Sequence, residues 1–108
     1  MAQTITQKNG GIGKATATGR ILDTGTVAAM VLTLGFKPRF VRVINNTSAD
    51  TEEWVEGMAA ASAMKRVAAG TTSLITSNGI TVSDTGFTIG LDTDILVTSE
   101  QITWIATA

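Results

Sequence analysis

The sequence predicts an all-β single domain, a β-sandwich of jelly-roll type or a small barrel. Three observations carry that expectation. Runs rich in Thr, Val and Ile recur at strand length, Asp/Gly and Asn-Gly clusters divide them, and 108 residues supply one hydrophobic core and no second.

Residues 1–14 are polar and end in "NGGIGK", whose three glycines make ordering costly; they are expected to form a flexible N-terminal arm, leaving 15–108 as the β-rich domain. From Ala15 the chain alternates Thr and Ala into Arg20-Ile21-Leu22, turns at Asp23-Thr24-Gly25 and resumes as "TVAAMVLTLGF". Pro38 introduces "RFVRVINN", in which Phe40, Arg42 and Ile44 alternate with Val41 and Val43, the pattern of a strand with two unlike faces. "NNTSAD" follows as a loop, because Asn, Ser and Asp bond their own backbone in tight turns.

The stretch "TEEWVEGMAAASAMKRVAA" carries two patterns. Asp50 with Glu53 resembles a capping box, and Trp54, Met58, Ala61 and Lys65 would share a helix face, so one short helix near residues 51–67 is allowed. The alternative pairs "EEWVEGM" with "RFVRVIN" as a hairpin, and Gly57 costs a helix only about 1 kcal/mol relative to alanine, too little to decide. Beyond Gly70, "TTSLITS", "NGITVS", "DTGFTIG", "ILVTS" and "QITWIATA" read as strands, with Asn78-Gly79 as a hairpin signal and Asp84-Thr85-Gly86 as a turn.

The chain has no cysteine and no histidine, which removes disulfides, thiolate nucleophiles, Cys/His zinc sites and imidazole-dependent triads. No apolar run is long enough to span a bilayer and the N-terminus lacks a signal-like apolar centre, so a cytosol-like setting without membrane is expected. Charge is divided unevenly. Through Arg42, six basic residues face Asp23 alone, a balance of +5; after it, eight acids face Lys65 and Arg66, a balance of −6. Such asymmetry suits contacts between copies, or a basic edge on an acidic partner, better than nucleic acid, which calls for a denser basic patch. With 16% charged residues on so small a chain, apolar surface is expected to be covered by self-association.

Asp-Thr-Gly is also the catalytic turn of aspartic proteases, whose homodimeric forms need no His or Cys. Against that reading stand the absence of a glycine-rich mid-chain flap and the second Asp-Thr-Gly at Asp84, which marks the tripeptide as turn vocabulary; a protease is the distant alternative and no catalytic residue is assigned. Asp84 and "LDTD", with Asp92 and Asp94, offer oxygen ligands, yet no glutamate closes a calcium loop and they read as solvated turns, so no cofactor is expected. Trp54 and Trp104 are expected as core or subunit-interface anchors.

Residues 34–108 resemble small structural proteins of tailed bacteriophages, described as capsid cement, decoration or head-fibre proteins, and the pieces that carry the resemblance are "GFKPRFVRV", "EGMAAASA", "VAAGT" and "GFTIG". The resemblance implies a virion protein on the outer surface of the capsid, assembled in the host cytoplasm, often a homotrimer, whose partner is the major capsid protein. A fibre or receptor-binding module is its runner-up. On either reading the interface candidates are Lys8, Lys14, Arg20, Lys37, Arg39, Arg42, Trp54 and Trp104.

Overall fold

A computed structural model describes residues 15–22 and 28–108. The expected arm and the Asp23-Thr24-Gly25 turn lie outside the described residues, while the rest is all-β with no helix. Eight strands form one antiparallel sheet: β1 (Thr16–Leu22), β2 (Met30–Thr33), β3 (Phe40–Asn45), β4 (Thr51–Val55), β5 (Ser62–Arg66), β6 (Thr72–Ser83), β7 (Gly86–Ile89) and β8 (Gln101–Thr107), in the order β1-β8-β3-β4-β5-β6-β7-β2.

The sheet curls into a half-barrel. β7 and β8 stand five places apart in the strand order, yet the rings of Phe87 and Trp104 meet edge-to-face with centroids 5.4 Å apart. Alternation explains which residues fill the curl. On β3, Val41 and Val43 are fully buried while Arg42 is exposed; on β8, Ile102, Trp104 and Ala106 point inward. Ile80, Phe87 and Ile89 close the core from β6 and β7.

Residues 51–67 take the hairpin alternative, and each helix signal has another use. Asp50 caps a loop: its carboxylate accepts from the Ala68 N–H at 2.8 Å and from Ser48 Oγ at 2.9 Å. Glu53 pairs with Arg42 across the β3/β4 ladder, and Gly57, at φ 105°, occupies a turn closed by the Met58 N–H on the Val55 carbonyl. Asn45 binds the loop as its composition predicts, its Oδ1 accepting from the N–H groups of Thr47 and Ser48.

Two expectations on the second half need correction. Asn78-Gly79 is not a hairpin turn but part of an excursion inside β6: Ser62 pairs with Ile80 while the next residue, Ala63, pairs with Ile75. A two-residue type I′ turn needs positive φ at both positions, and Asn78 alone has it, at 59°. "ILVTS" is not a strand. Ile95 and Leu96 are both buried in succession, and the N–H groups of both bond the Asp92 carbonyl, so this loop plugs the core where a strand would expose one of the two. The Asp84-Thr85 turn is as expected, joining β6 to β7 with Ser83 opposite Gly86.

Candidate functional site

The predicted interface residues fall into three groups. Lys8 and Lys14 lie outside the described residues. Arg20 and Arg42 stand on the convex outer face, on β1 and β3 with β8 between them, and Lys37 is exposed in the loop before β3. Trp54 and Trp104 serve the core, at 7% and 8% exposure, so of their two readings the structure supports the internal one.

Part of the charge asymmetry is resolved inside the chain. Arg39 donates two hydrogen bonds to the Glu56 carboxylate, at 3.0 and 3.1 Å, and Arg42 sits 3.4 Å from Glu53. Both pairs join the basic first half to the acidic second. Both are exposed, and each contributes little to stability. Around them the outer face carries half-buried Phe40, Ile44 and Ile105 with exposed Val55, which lies opposite Phe40 in the β3/β4 register. Arg20, Ile21, Leu22 and Gln101 line a depression beside this face.

The inner face holds a charge cluster that the sequence reading missed. The register aligns Trp104, Val43, Glu52, Lys65 and Ser73 across β8, β3, β4, β5 and β6. Lys65 Nζ donates to both oxygens of Asp92 at 2.9 Å and lies 2.6 Å from Asp94 Oδ2, while Asp92 Oδ1 also accepts from the Asp94 N–H. The two aspartates of "LDTD" therefore hold an internal ammonium; this clamp ties the Asp92 loop, and with it Ile95 and Leu96, to the sheet. Burial alone would lower the Lys65 pKa, but the hydrogen bonds that Lys65 donates to Asp94 and Asp92 outweigh that and hold the ammonium above its ordinary range.

Glu52 is fully buried beside this clamp, and among the described residues neither of its carboxylate oxygens has a hydrogen-bond partner. Burial first, then the negative charge of Asp92, push its pKa up to about 8 from 4.5, against a smaller lowering by Lys65. Glu52 is thus a neutral carboxylic acid in the core at pH 7. A carboxyl enclosed on every side cannot touch a substrate, and its chemistry is that of a stability-linked proton.

The linkage has a definite sign. Between pH 4.5 and about 8 the unfolded chain gives up the Glu52 proton while the folded chain keeps it. The Glu52 contribution to stability is therefore full below 4.5, falls as pH rises at up to about 1.4 kcal/mol per unit, and levels above 8. Glu52→Gln, which stays neutral throughout, is expected to remove that slope and to be the more stable protein at pH 8. Urea denaturation at pH 5, 6.5 and 8 checks this; parallel profiles would mean that Glu52 is not the linked group.

No family model, curated protein or solved structure matches this chain.

Proposed function

We propose that this protein is a structural component of a bacteriophage head, a cement or decoration module that binds the assembled shell from outside through the convex face of its sheet. The observation that carries the reading is that face: Phe40, Ile44, Ile105 and Val55 present apolar surface, with the Arg42–Glu53 pair set among them and Arg20 and the Arg39–Glu56 pair beside them. A surface that mixes aromatic and aliphatic contacts with charged pairs suits a protein partner. The bacteriophage assignment rests on the resemblance of residues 34–108. The inner face supports the same reading, since its charges are spent on holding a loop in place.

The mechanism is mass action. A ligand that binds the assembled lattice and not its free subunits stabilises the lattice, per site, by RT times the natural logarithm of one plus the ratio of its free concentration to Kd, an effect that grows with that ratio. Purified shells of the source phage, lacking the protein, should co-sediment with it and resist higher temperature afterwards. Arg20→Glu, an exposed change outside the core, is expected to weaken shell binding by about tenfold, equivalent to about 1.4 kcal/mol, and binding should fall as salt rises. Unaltered shells combined with binding to host cells or glycans would transfer the protein to the receptor-binding reading.

A further inference from the structure

We propose that two copies of this chain pair edge to edge through the first half of β6, antiparallel about a two-fold axis at Leu74, continuing the sheet from one molecule into the next. β7 pairs with β6 only from Ile80 to Ser83, so no described strand lies beyond β5 on residues 72–77. The Val67 N–H bonds the Thr71 carbonyl, which turns the backbone groups of Thr71, Ser73 and Ile75 toward β5. By alternation, those of Thr72, Leu74 and Thr76 point out from the edge.

Among the described residues, positions 72–75 carry none of the usual protections, since the bulge of β6 begins only beyond Ile75. Natural edges are blunted by charge, proline, a bulge or a covering segment. Here "TTSLITS" contains no charge, proline or glycine, and residues 67–83 carry no charge at all. Leu74, at 59% exposure, lies opposite Met64, at 42%, in the β5/β6 register.

Three features favour a second copy as the occupant. The outward-facing residues read Thr-Leu-Thr, the same in both directions, so a two-fold at Leu74 places Leu74 against Leu74 and Thr72 against Thr76, each pair exchanging two backbone hydrogen bonds. The outer-face row then runs Met64, Leu74, Leu74, Met64 across the junction and joins the two exposed apolar pairs into one band. Glu53, the next residue in that row, is paired with Arg42, and five strand spacings hold the two copies of Glu53 about 24 Å apart, so no like charges meet. The resulting symmetry is two-fold, in place of the three-fold that the resemblance implies.

Because the chain has no cysteine, a single one reports contact between copies. Opposed residues of a hydrogen-bonded antiparallel pair have Cα atoms about 5.5 Å apart, within disulfide reach. Leu74→Cys should therefore form a covalent dimer on oxidation. Thr76→Cys, whose two copies would lie about 14 Å apart along the strands, should not.

Light scattering of the unmodified chain should give a concentration-dependent dimer. Leu74→Lys and Leu74→Pro, both at an exposed position whose N–H points away from β5, should keep the far-ultraviolet β signal and shift the midpoint of association at least tenfold toward monomer. A monomer at every concentration, a trimer unaffected by either change, or equal cross-linking through positions 74 and 76 would each overturn the proposal. Shell binding tests the proposed function separately, since Arg20 is on the opposite margin of the sheet.

Discussion

Gly86→Ala is expected to destabilise the domain by about 3 kcal/mol or more and to lower its melting temperature by about 10 °C or more. A Cβ built on Gly86 falls 1.9 Å from the Leu32 carbonyl oxygen, 3.0 Å from the Leu32 carbonyl carbon and 3.1 Å from the Thr33 Cα. All three are backbone atoms of β2, so no rotamer change relieves the clash and the strand itself must move. β2 is four residues long and, among the described strands, pairs only with β7, through Met30 to Ile89 and Thr33 to Gly86. Displacing it also breaks the bonds from the N–H groups of Leu34 and Gly35 to the Thr85 carbonyl, and uncovers Phe87 and Ile89 where Met30 and Leu32 pack on them. Hydrogen exchange should show the damage locally, with protection lost first in β2 and β7 while β3, β4 and β8 keep theirs. A variant as stable as the parent, or one that loosens uniformly, would refute the close-approach account.

The same glycine shows where sequence reading reaches and where it stops. Asp84-Thr85-Gly86 is legible as a turn because Asp and Gly at that spacing are turn chemistry, but the closeness of Gly86 to β2 is a contact between elements some fifty residues apart and leaves no local mark. β1, β3 and β8 are legible because each has one face in the curl and one outside, which writes a period of two into the sequence. Residues 51–67 satisfied two periods at once, and the choice fell to partners that only the fold supplies: Arg42 for Glu53, the Ala68 N–H for Asp50, Asp92 for Lys65. Ile95 and Leu96 look like strand residues because burial, whatever its geometry, selects the same side chains.

The candidate site follows the same division. The outward position of Arg42 on β3 was legible from alternation, whereas the face it shares with Arg20 and the intramolecular pairing of Arg39 and Arg42 were not, since charge counted by halves of the chain does not record which residues face each other. Glu52 was the least legible residue. An acid in "TEEW" reads as solvent-facing on composition, and only its alternation with Trp54, both inward on β4, signals that one of the two adjacent glutamates must enter the core.

Lys65→Met is expected to cost about 3 kcal/mol at pH 7, because it strands Asp92 in a buried setting without its cation. The side chains of Lys65 and Asp92 are only 13% and 10% exposed, and methionine keeps most of the lysine stem, so the loss is that of the charge and its hydrogen bonds. Asp94, half exposed at 49%, is rehydrated and adds little. Glu52 responds as well: Lys65 is the one influence that draws its pKa down, and without it the Glu52 proton is held more firmly beside an unpaired Asp92. Two signatures separate this account from simple loss of packing. First, protonation of the stranded Asp92 carboxylate removes its penalty, so the deficit of the variant relative to the parent should be smaller at pH 4.5 than at pH 7. Second, Asp92→Asn on the Lys65→Met background keeps an acceptor for the Asp94 N–H while removing the charge, and should recover at least half of the loss, giving a coupling well outside additivity in a double-mutant cycle. Denaturation curves for the four proteins at pH 4.5 and 7 provide both readings. A deficit that is the same at the two pH values, together with additive effects of the two substitutions, would show that the Asp92 loop is held by Ile95 and Leu96 alone and that the buried ion pair contributes nothing to its closure.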